Sequence, residues 1–198
     1  MINNPWQFRD NTDKGIKIDI RRRLIAMLNA PPSVLECFAG EGKLYAACYQ
    51  GMTYLGLDKK KITDGRNMLN IDNLKYLRSA DLSRFNLFDL DAYGSPWHQF
   101  LVILKRRRIV AGERIAIFLT DGLQIQARLG DLPHGLKPYC GIPEAMRVPC
   151  LARHMDYIRS LVVTNACREA GLEIKTALIG QNPRKNMTYI GLLLQKNN

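Results

Sequence analysis

The chain has 198 residues, a formal net charge of +11 and a composition of 46% hydrophobic and 24% charged residues. These values are typical of one globular domain and exclude a disordered or low-complexity protein. Residues 1–15 are polar and charged, and no later apolar run approaches the length of a membrane span. The sequence therefore predicts neither a signal peptide nor a membrane helix.

The predicted elements alternate between helices and strands, which is typical of an α/β protein with a mostly parallel sheet. Helices are expected at 16–29, 42–50, 74–79, 97–108 and 153–170. Strands are expected at 33–38, 53–57, 68–71, 84–90, 114–119, 172–179 and 187–195. The last two strands form a predicted hairpin that adds an antiparallel strand. Residues 1–15 are interpreted as an irregular arm, and the Gly- and Pro-rich residues 122–152 as an irregular excursion near the binding side of the same single domain.

The cysteines lie at positions 37, 48, 140, 150 and 167. An odd number without paired spacing indicates reduced thiols, and we therefore expect a cytoplasmic protein. His134, Cys140, Cys150 and His154 are residue types that bind zinc, but they contain no tightly spaced pair. Because structural zinc sites usually have such pairs, no metal is predicted.

Positive charge is concentrated in three clusters, at 21–23, 59–61 and 105–108. Each cluster alone is typical of a solvated helix face or of a helix C-terminus, where cations complement the dipole. Together they favour a polyanionic partner, which such a surface attracts in a salt-dependent way. We therefore expect nucleic acid as the substrate.

The segment Ser33–Gly42 is interpreted as a buried strand followed by a glycine turn. Gly40 and Gly42 allow the backbone to approach a ligand without a Cβ collision. The next strand ends at Asp58, whose carboxylate can accept hydrogen bonds from both hydroxyls of a ribose. This order of features predicts a site for a cofactor that contains a nucleoside.

The glycine turn also distinguishes between two classes of cofactor. A dinucleotide site requires a third glycine three residues after Gly42, and this chain has Tyr45 there. Glu36 and Glu41 would repel a pyrophosphate, whereas they suit a cationic ligand with a sulfonium and an ammonium group. The segment Glu36–Gly42 resembles the cofactor motif of class I S-adenosylmethionine-dependent methyltransferases. The resemblance implies a Rossmann-like, seven-stranded class I methyltransferase fold with a mostly parallel sheet and a C-terminal antiparallel hairpin.

A second motif, Asp91–Pro96, follows the strand predicted at 84–90. Ligands bind beyond the carboxyl ends of strands in open α/β sheets, and this strand would lie beside the first one. Asp91 would then face the methyl group of the donor. Its carboxylate and a nearby backbone carbonyl can accept the two N–H groups of an exocyclic amine, while Tyr93 stacks on the base.

The segment Phe85–Pro96 resembles the D-P-F-G-S-P region of the tRNA (guanine-N2)-dimethyltransferase family, which acts on guanosine 26. Asn4–Asp10 and Leu119–Asp121 are weaker similarities to that family. This chain has Ala92 and Tyr93 where the family has proline and phenylalanine, and it ends where the family's C-terminal RNA-binding domain would begin. The resemblance implies methylation of an exocyclic amine of a nucleobase, with guanine N2 in tRNA or other RNA as the first expectation. A protein partner that supplies an RNA-binding surface is a further expectation.

The same resemblances imply roles for individual residues. Glu36 and the loop would contact the amino-acid part of the donor, Asp58 the ribose and Asp72 the adenine amino group. For Asp72, an N-cap of the following helix is an equal alternative, and Asp81 competes for the adenine role. The implied cofactor-binding residues are Glu36, Phe38, Ala39, Gly40, Gly42, Asp58 and Asp72. The implied catalytic residues are Asp91 and Tyr93, and the implied substrate-binding residues are Ala92, Gly94, Ser95 and Arg9.

Two other functions remain open at this point. A DNA adenine-N6 or cytosine-N4 amino-methyltransferase would use the same chemistry on a flipped base. It would need a target-recognition segment, for which only residues 122–152 are available. A catalytically degenerate module that binds nucleic acid is the third alternative, and Ala92 favours it.

Overall fold

The computed structural model describes residues 14–123, 127–133 and 135–196. Most of the predicted arm, including Asn4–Asp10 with Arg9, lies outside these residues, as does His134. The strands are β1 (Ser33–Glu36), β2 (Thr53–Asp58), β3 (Met68–Asn70), β4 (Leu87–Leu90), β5 (Arg114–Asp121), β6 (Leu172–Gln181) and β7 (Thr188–Lys196). The longer helices are α1 (Lys14–Ile25), α2 (Asn73–Ser79), α3 (Trp97–Arg106) and α4 (Met155–Glu169). Shorter helical turns span Tyr45–Tyr49, Lys137–Cys140 and Leu151–His154.

The strands form one seven-stranded sheet in the order β3-β2-β1-β4-β5-β7-β6. Strand β1 pairs in parallel with both β2 and β4, and β4 pairs in parallel with β5. Strand β7 runs antiparallel to β5 and to β6, which makes the C-terminal hairpin. The predicted fold class is therefore confirmed. From β1 the chain adds β2 and β3 on one side of the sheet and then returns to add β4 on the other side of β1. This reversal of strand order between β1 and β4 marks the place where open α/β sheets bind their ligands.

Some element boundaries differ from the predicted ones for local reasons. The strand expected at 84–90 begins only at Leu87, because the chain before it forms a turn in which Phe85 N donates to Leu82 O at 3.1 Å. The side chain of Asn86 ties the end of this turn to the chain that enters β1. Its amide donates to Pro31 O at 3.0 Å and accepts from Ser33 N at 2.8 Å. The helix expected at 42–50 is reduced to a π-helical turn at Tyr45–Tyr49 after a short helical start.

Helix α1 packs very closely on the β6–β7 hairpin. A Cβ built at Gly180 would lie 2.3 Å from Ile16, and one built at Gly191 would lie 2.4 Å from Ile20. Glycine at both strand positions therefore lets the helix approach the sheet. This close approach brings the buried side chains of α1 to the carboxyl edge of β4. In the described part of the chain, no helix has the length and apolar character needed to span a membrane.

Candidate active site

The two predicted motifs begin side by side at the carboxyl edge of the sheet. Glu36 of β1 lies in register with Asp89 of β4, and Cys37 N donates to Asp89 O at 2.9 Å. The glycine loop follows β1 directly, and Asp91 lies two residues beyond Asp89. The reversal point of the sheet thus carries both motifs.

The glycine loop is tied to the end of β2 by the carboxylate of Asp58. Gly40 N donates to one oxygen of Asp58 at 3.0 Å, and Lys60 N donates to the other at 2.8 Å. Gly40 and Gly42 have φ angles of +40° and +72°, which L side chains rarely adopt. A Cβ at Gly40 would contact only Phe38 O, at 3.9 Å. The loop is therefore open at Gly40, as a backbone that receives a ligand needs to be.

Arg66 braces the same loop, and the sequence analysis did not single it out. Its guanidinium donates to Ala39 O at 3.0 Å and to Gly40 O at 2.6 Å, and it pairs with Asp64 at 2.7 Å. A Cβ built at Gly42 would lie 2.7 Å from Arg66 Cζ, so glycine at this position makes room for the brace. Arg66 lies in a polar loop without a motif, and nothing in the sequence distinguishes it from a solvated arginine.

Glu36 is an almost fully buried acid next to the loop. It is 2% exposed and accepts a hydrogen bond from the Tyr54 hydroxyl at 2.5 Å. Burial and the negative charge of Asp89 raise its pKa from 4.5 to about 8. A cationic group bound beside Glu36 would favour its charged form and lower this pKa.

Asp89 is the centre of a buried charge cluster that the sequence analysis did not predict. Arg21 donates to both of its carboxylate oxygens at 2.7 Å, and the Tyr49 hydroxyl donates to it as well. Arg21 and Asp89 have side chains that are 2% and 0% exposed. The interpretation of residues 21–23 as a solvated cationic face is therefore wrong at Arg21, whose charge is committed inside the protein.

Asp91 is paired with a second buried cation of α1. Lys17 Nζ lies 2.6 Å from Asp91 Oδ1, and the two side chains are 7% and 20% exposed. Burial acts to raise the pKa of Asp91, but the positive charges of Arg21 and Lys17 outweigh it and hold this pKa below its usual value. Asp91 is therefore a partly accessible group that stays a carboxylate.

The loop after Asp91 presents an aromatic ring at the surface. Ala92 is 5% exposed, whereas Tyr93 is 89% exposed. Gly94 has a φ of +119°, and its carbonyl accepts a hydrogen bond from Gly122 N at 2.8 Å, which ties the loop to the end of β5. Ser95 is half-buried. An exposed phenol ring thus follows Asp91 by two residues in the chain.

Three further acids, Asp72, Asp121 and Asp81, have structural partners. Asp72 is the N-cap of α2, where it accepts from Lys75 N at 2.9 Å and pairs with Lys59 at 2.8 Å. The N-cap alternative is confirmed, and the adenine contact stays a prediction. Asp121, at the end of β5, is buried against Arg159 of α4 at 2.7 Å. Asp81, the alternative to Asp72 for the adenine contact, accepts hydrogen bonds from Ser83 N at 2.9 Å and from the Ser83 hydroxyl at 2.7 Å.

No protein-family model matches the chain, and no curated protein matches it at a significant level. Several solved structures do. Trm1 from Pyrococcus horikoshii, solved with S-adenosyl-L-methionine, matches with a TM-score of 0.56 and 16% identity, over 92% of this chain and 55% of that one. TYW2 from M. jannaschii, solved with AdoMet, matches with a TM-score of 0.52 and 10% identity, over 93% and 78%.

A third match is a 1,6-didemethyltoxoflavin-N1-methyltransferase from Burkholderia thailandensis, with a TM-score of 0.51, 16% identity and coverage of 94% and 80%. The chain thus spans only 55% of the length of the Trm1 structure. At these identities the likeness is one of fold. The chain has the class I methyltransferase fold.

Proposed function

We propose that the protein is an S-adenosylmethionine-dependent methyltransferase that acts on an exocyclic amine of a nucleobase, with guanine N2 in tRNA or other RNA as its substrate. The observation that carries this proposal is the pairing of β1 with β4 in a register that sets Glu36 beside Asp89. Because of that register, a cofactor loop and a carboxylate followed by an exposed aromatic ring share one edge of the sheet. Open α/β sheets bind ligands at this edge, and both predicted motifs lie there.

The residues at this edge fit the proposed donor. Bound S-adenosylmethionine would supply a methyl group on a sulfonium. Asp58 would hold the ribose hydroxyls while it keeps its bonds to Gly40 N and Lys60 N, since a carboxylate has about four lone-pair sites. Glu36 would face the ammonium group, directly or through water, and the open backbone at Gly40 would lie against the amino-acid part. Phe38 and Ala39 belong to the same loop.

Asp91 would position the amine rather than deprotonate it. Its low pKa keeps it charged, so it serves as an acceptor for an N–H of the base while Lys17 occupies one of its oxygens. Tyr93 would stack on the base. The amine can release its proton to solvent after transfer, so the reaction needs no general base at this site. The gain would come from orientation and electrostatics.

The test is nucleoside analysis by mass spectrometry after incubation of unmodified tRNA with the protein and a methyl-labelled donor. We expect labelled N2-methylguanosine with the wild type and at least a hundredfold less, on the order of the effects seen for such groups, with Asp91→Asn. Calorimetry should show that Asp91→Asn still binds the donor. Label in duplex DNA but not in tRNA would favour a DNA amino-methyltransferase, and absence of donor binding by the wild type would favour a binding module.

A further inference from the structure

A groove lies at the amino edge of the sheet, opposite the candidate active site. It consists of two depressions of about 650 and 610 Å³ that share Lys105, Tyr139 and Glu169. It is bounded by the C-terminal ends of α3 and α4 and by the end of β7 at Lys196. We call this surface the amino-edge groove.

The two edges are well separated. Strand β5 runs from Arg114 at the groove end to Asp121 at the site end. At about 3.3 Å per residue this distance is roughly 23 Å. The part of a ligand that lies in the amino-edge groove is therefore too far away to contact the glycine loop or Asp91.

Cations dominate the charged lining of the groove. Lys105, Arg108 and Lys196 are exposed around the first depression, and Arg168 is exposed in the second. Within residues 14–123, 127–133 and 135–196, no ion pair is described for any of these four side chains. Arg107 also lines the groove, but its guanidinium is committed to Glu113 and Phe85 O. Lys105 and Arg168 lie in the last turns of α3 and α4, where cations complement the helix dipoles, but Arg108 and Lys196 lie outside any helix.

The rest of the groove offers apolar and aromatic surface between the cations. Val110 is 66% exposed, and the half-buried ring of Tyr139 lies between the two depressions. Single-stranded nucleic acid needs this combination, because cations bind the phosphates while aromatic and apolar side chains contact bases and sugars. A small anion would use only a fraction of cations spread over two depressions.

We infer that the amino-edge groove binds the sugar–phosphate backbone of the RNA substrate at a distance from the base that is methylated. This inference rests on the proposed function and extends it by a second contact surface. It gives a role to four of the exposed cations that contribute to the net charge of +11, whereas Lys17 and Arg21 of α1 are paired with Asp91 and Asp89. Glu169 is the acid among the lining residues, and it opposes this binding.

The experiment measures binding of a fluorescein-labelled, unmodified tRNA transcript by polarisation over a range of salt concentrations. The double variant Lys105→Glu/Arg108→Glu should bind at least tenfold more weakly, and the slope of log K against log salt should become less steep by about 2, one per lost contact. Glu169→Gln should bind several-fold more tightly, in line with the loss of one opposing charge. The matched control is Lys75→Glu/Arg78→Glu, which makes the same change of charge at exposed positions of α2.

Each outcome decides between alternatives. Unchanged binding by the groove variant, or an equal loss in the α2 control, overturns the inference. Displacement of the tRNA by polyglutamate at equal charge concentration also overturns it, because the groove would then suit an acidic protein segment. Calorimetry with S-adenosylmethionine separates a failure of the groove inference from a failure of the proposed function. The groove variant should bind the donor as the wild type does. A wild type that binds tRNA through the groove but binds no donor would refute the proposed function alone.

Discussion

Lys17 Nζ lies 2.6 Å from Asp91 Oδ1, and the next turn of the same helix places Arg21 against Asp89 at 2.7 Å. Two residues four apart on α1 therefore pair with two residues two apart on the neighbouring chain, where Asp89 lies within β4 and Asp91 directly follows it. One helix thus supplies a buried cation to each of the two acids at the reversal point of the sheet. Its own position depends on Gly180 and Gly191, which let it press onto the hairpin.

Replacement of Lys17 by methionine should change the pH dependence of methyl transfer. Lys17 helps to hold the pKa of Asp91 low, so its removal raises that pKa and moves the acid limb of the kcat/KM profile to higher pH. Asp91 contributes stability above its unfolded pKa that is lost as the pH falls through its folded pKa, and in the variant this loss begins at higher pH. The control is Lys14→Met, an exposed lysine of the same helix. Identical profiles for the wild type and Lys17→Met would remove the assigned role.

Loss of the Arg21 side chain alone should be strongly destabilising. Arg21→Leu leaves Asp89 as a buried, unpaired charge, and we expect a loss of about 3–5 kcal/mol in the free energy of unfolding. The double variant Arg21→Leu/Asp89→Leu removes both charges, and its free energy of unfolding should be well above that of Arg21→Leu. Urea denaturation of the two variants measures the difference. Arg23→Leu, which breaks an exposed pair with Asp19 at 3.7 Å, should cost about 1 kcal/mol or less. Additive effects of the Arg21 and Asp89 changes would contradict the direct pairing.

The sequence predicts the fold better than it predicts the chemistry around its acids. Periodicity and glycine turns locate the strands, because burial on a parallel sheet leaves long apolar runs such as the one at β5. The sequence also places Glu36, Asp58 and Asp91 at strand ends. It does not reveal their partners, since Lys17 and Arg21 precede Asp91 and Asp89 by about seventy residues. A basic helix face and a basic core contact look alike until the helix is packed, so the sequence misassigns Arg21. Arg66 lies in a polar loop, where its hydrogen bonds to Ala39 O and Gly40 O leave no sequence pattern.

Binding of the donor should release a proton from Glu36. At pH 7 a carboxyl with a pKa of about 8 is mostly protonated, and an ammonium group bound beside it favours the charged form. Calorimetry at pH 7 in buffers of different ionisation enthalpy should therefore show release of up to about one proton, and none with Glu36→Gln. The variant should also bind the donor more weakly. A binding enthalpy that is independent of the buffer in the wild type would contradict the role of Glu36.

The same pKa predicts how the stability of the ligand-free protein depends on pH. The folded pKa of Glu36, about 8, lies above its usual value of 4.5, so the native state binds more protons than the unfolded state between these values. The contribution of Glu36 to stability is fully present below pH 4.5 and is lost as the pH rises to about 8. Urea denaturation over this range should show a falling free energy of unfolding in the wild type and a flatter dependence in Glu36→Gln. A steeper fall in the variant would refute the assignment.

Arg66 should matter for the donor although it is not predicted to touch the substrate. Arg66→Leu removes the hydrogen bonds to Ala39 O and Gly40 O, so the loop loses its brace and has to be ordered when the donor binds. We expect a rise of about tenfold in the dissociation constant of the donor, equivalent to about 1.4 kcal/mol, and faster hydrogen exchange at residues 39–42. Arg78→Leu, an exposed arginine of α2, serves as the control.

The effect of Gly42→Ala gives a second check of the contact between Arg66 and the loop. In the Arg66→Leu background the clash with the guanidinium disappears, while the strain of a positive φ remains. The two changes should therefore be less than additive, and full additivity would show that Arg66 does not pack on the loop in solution.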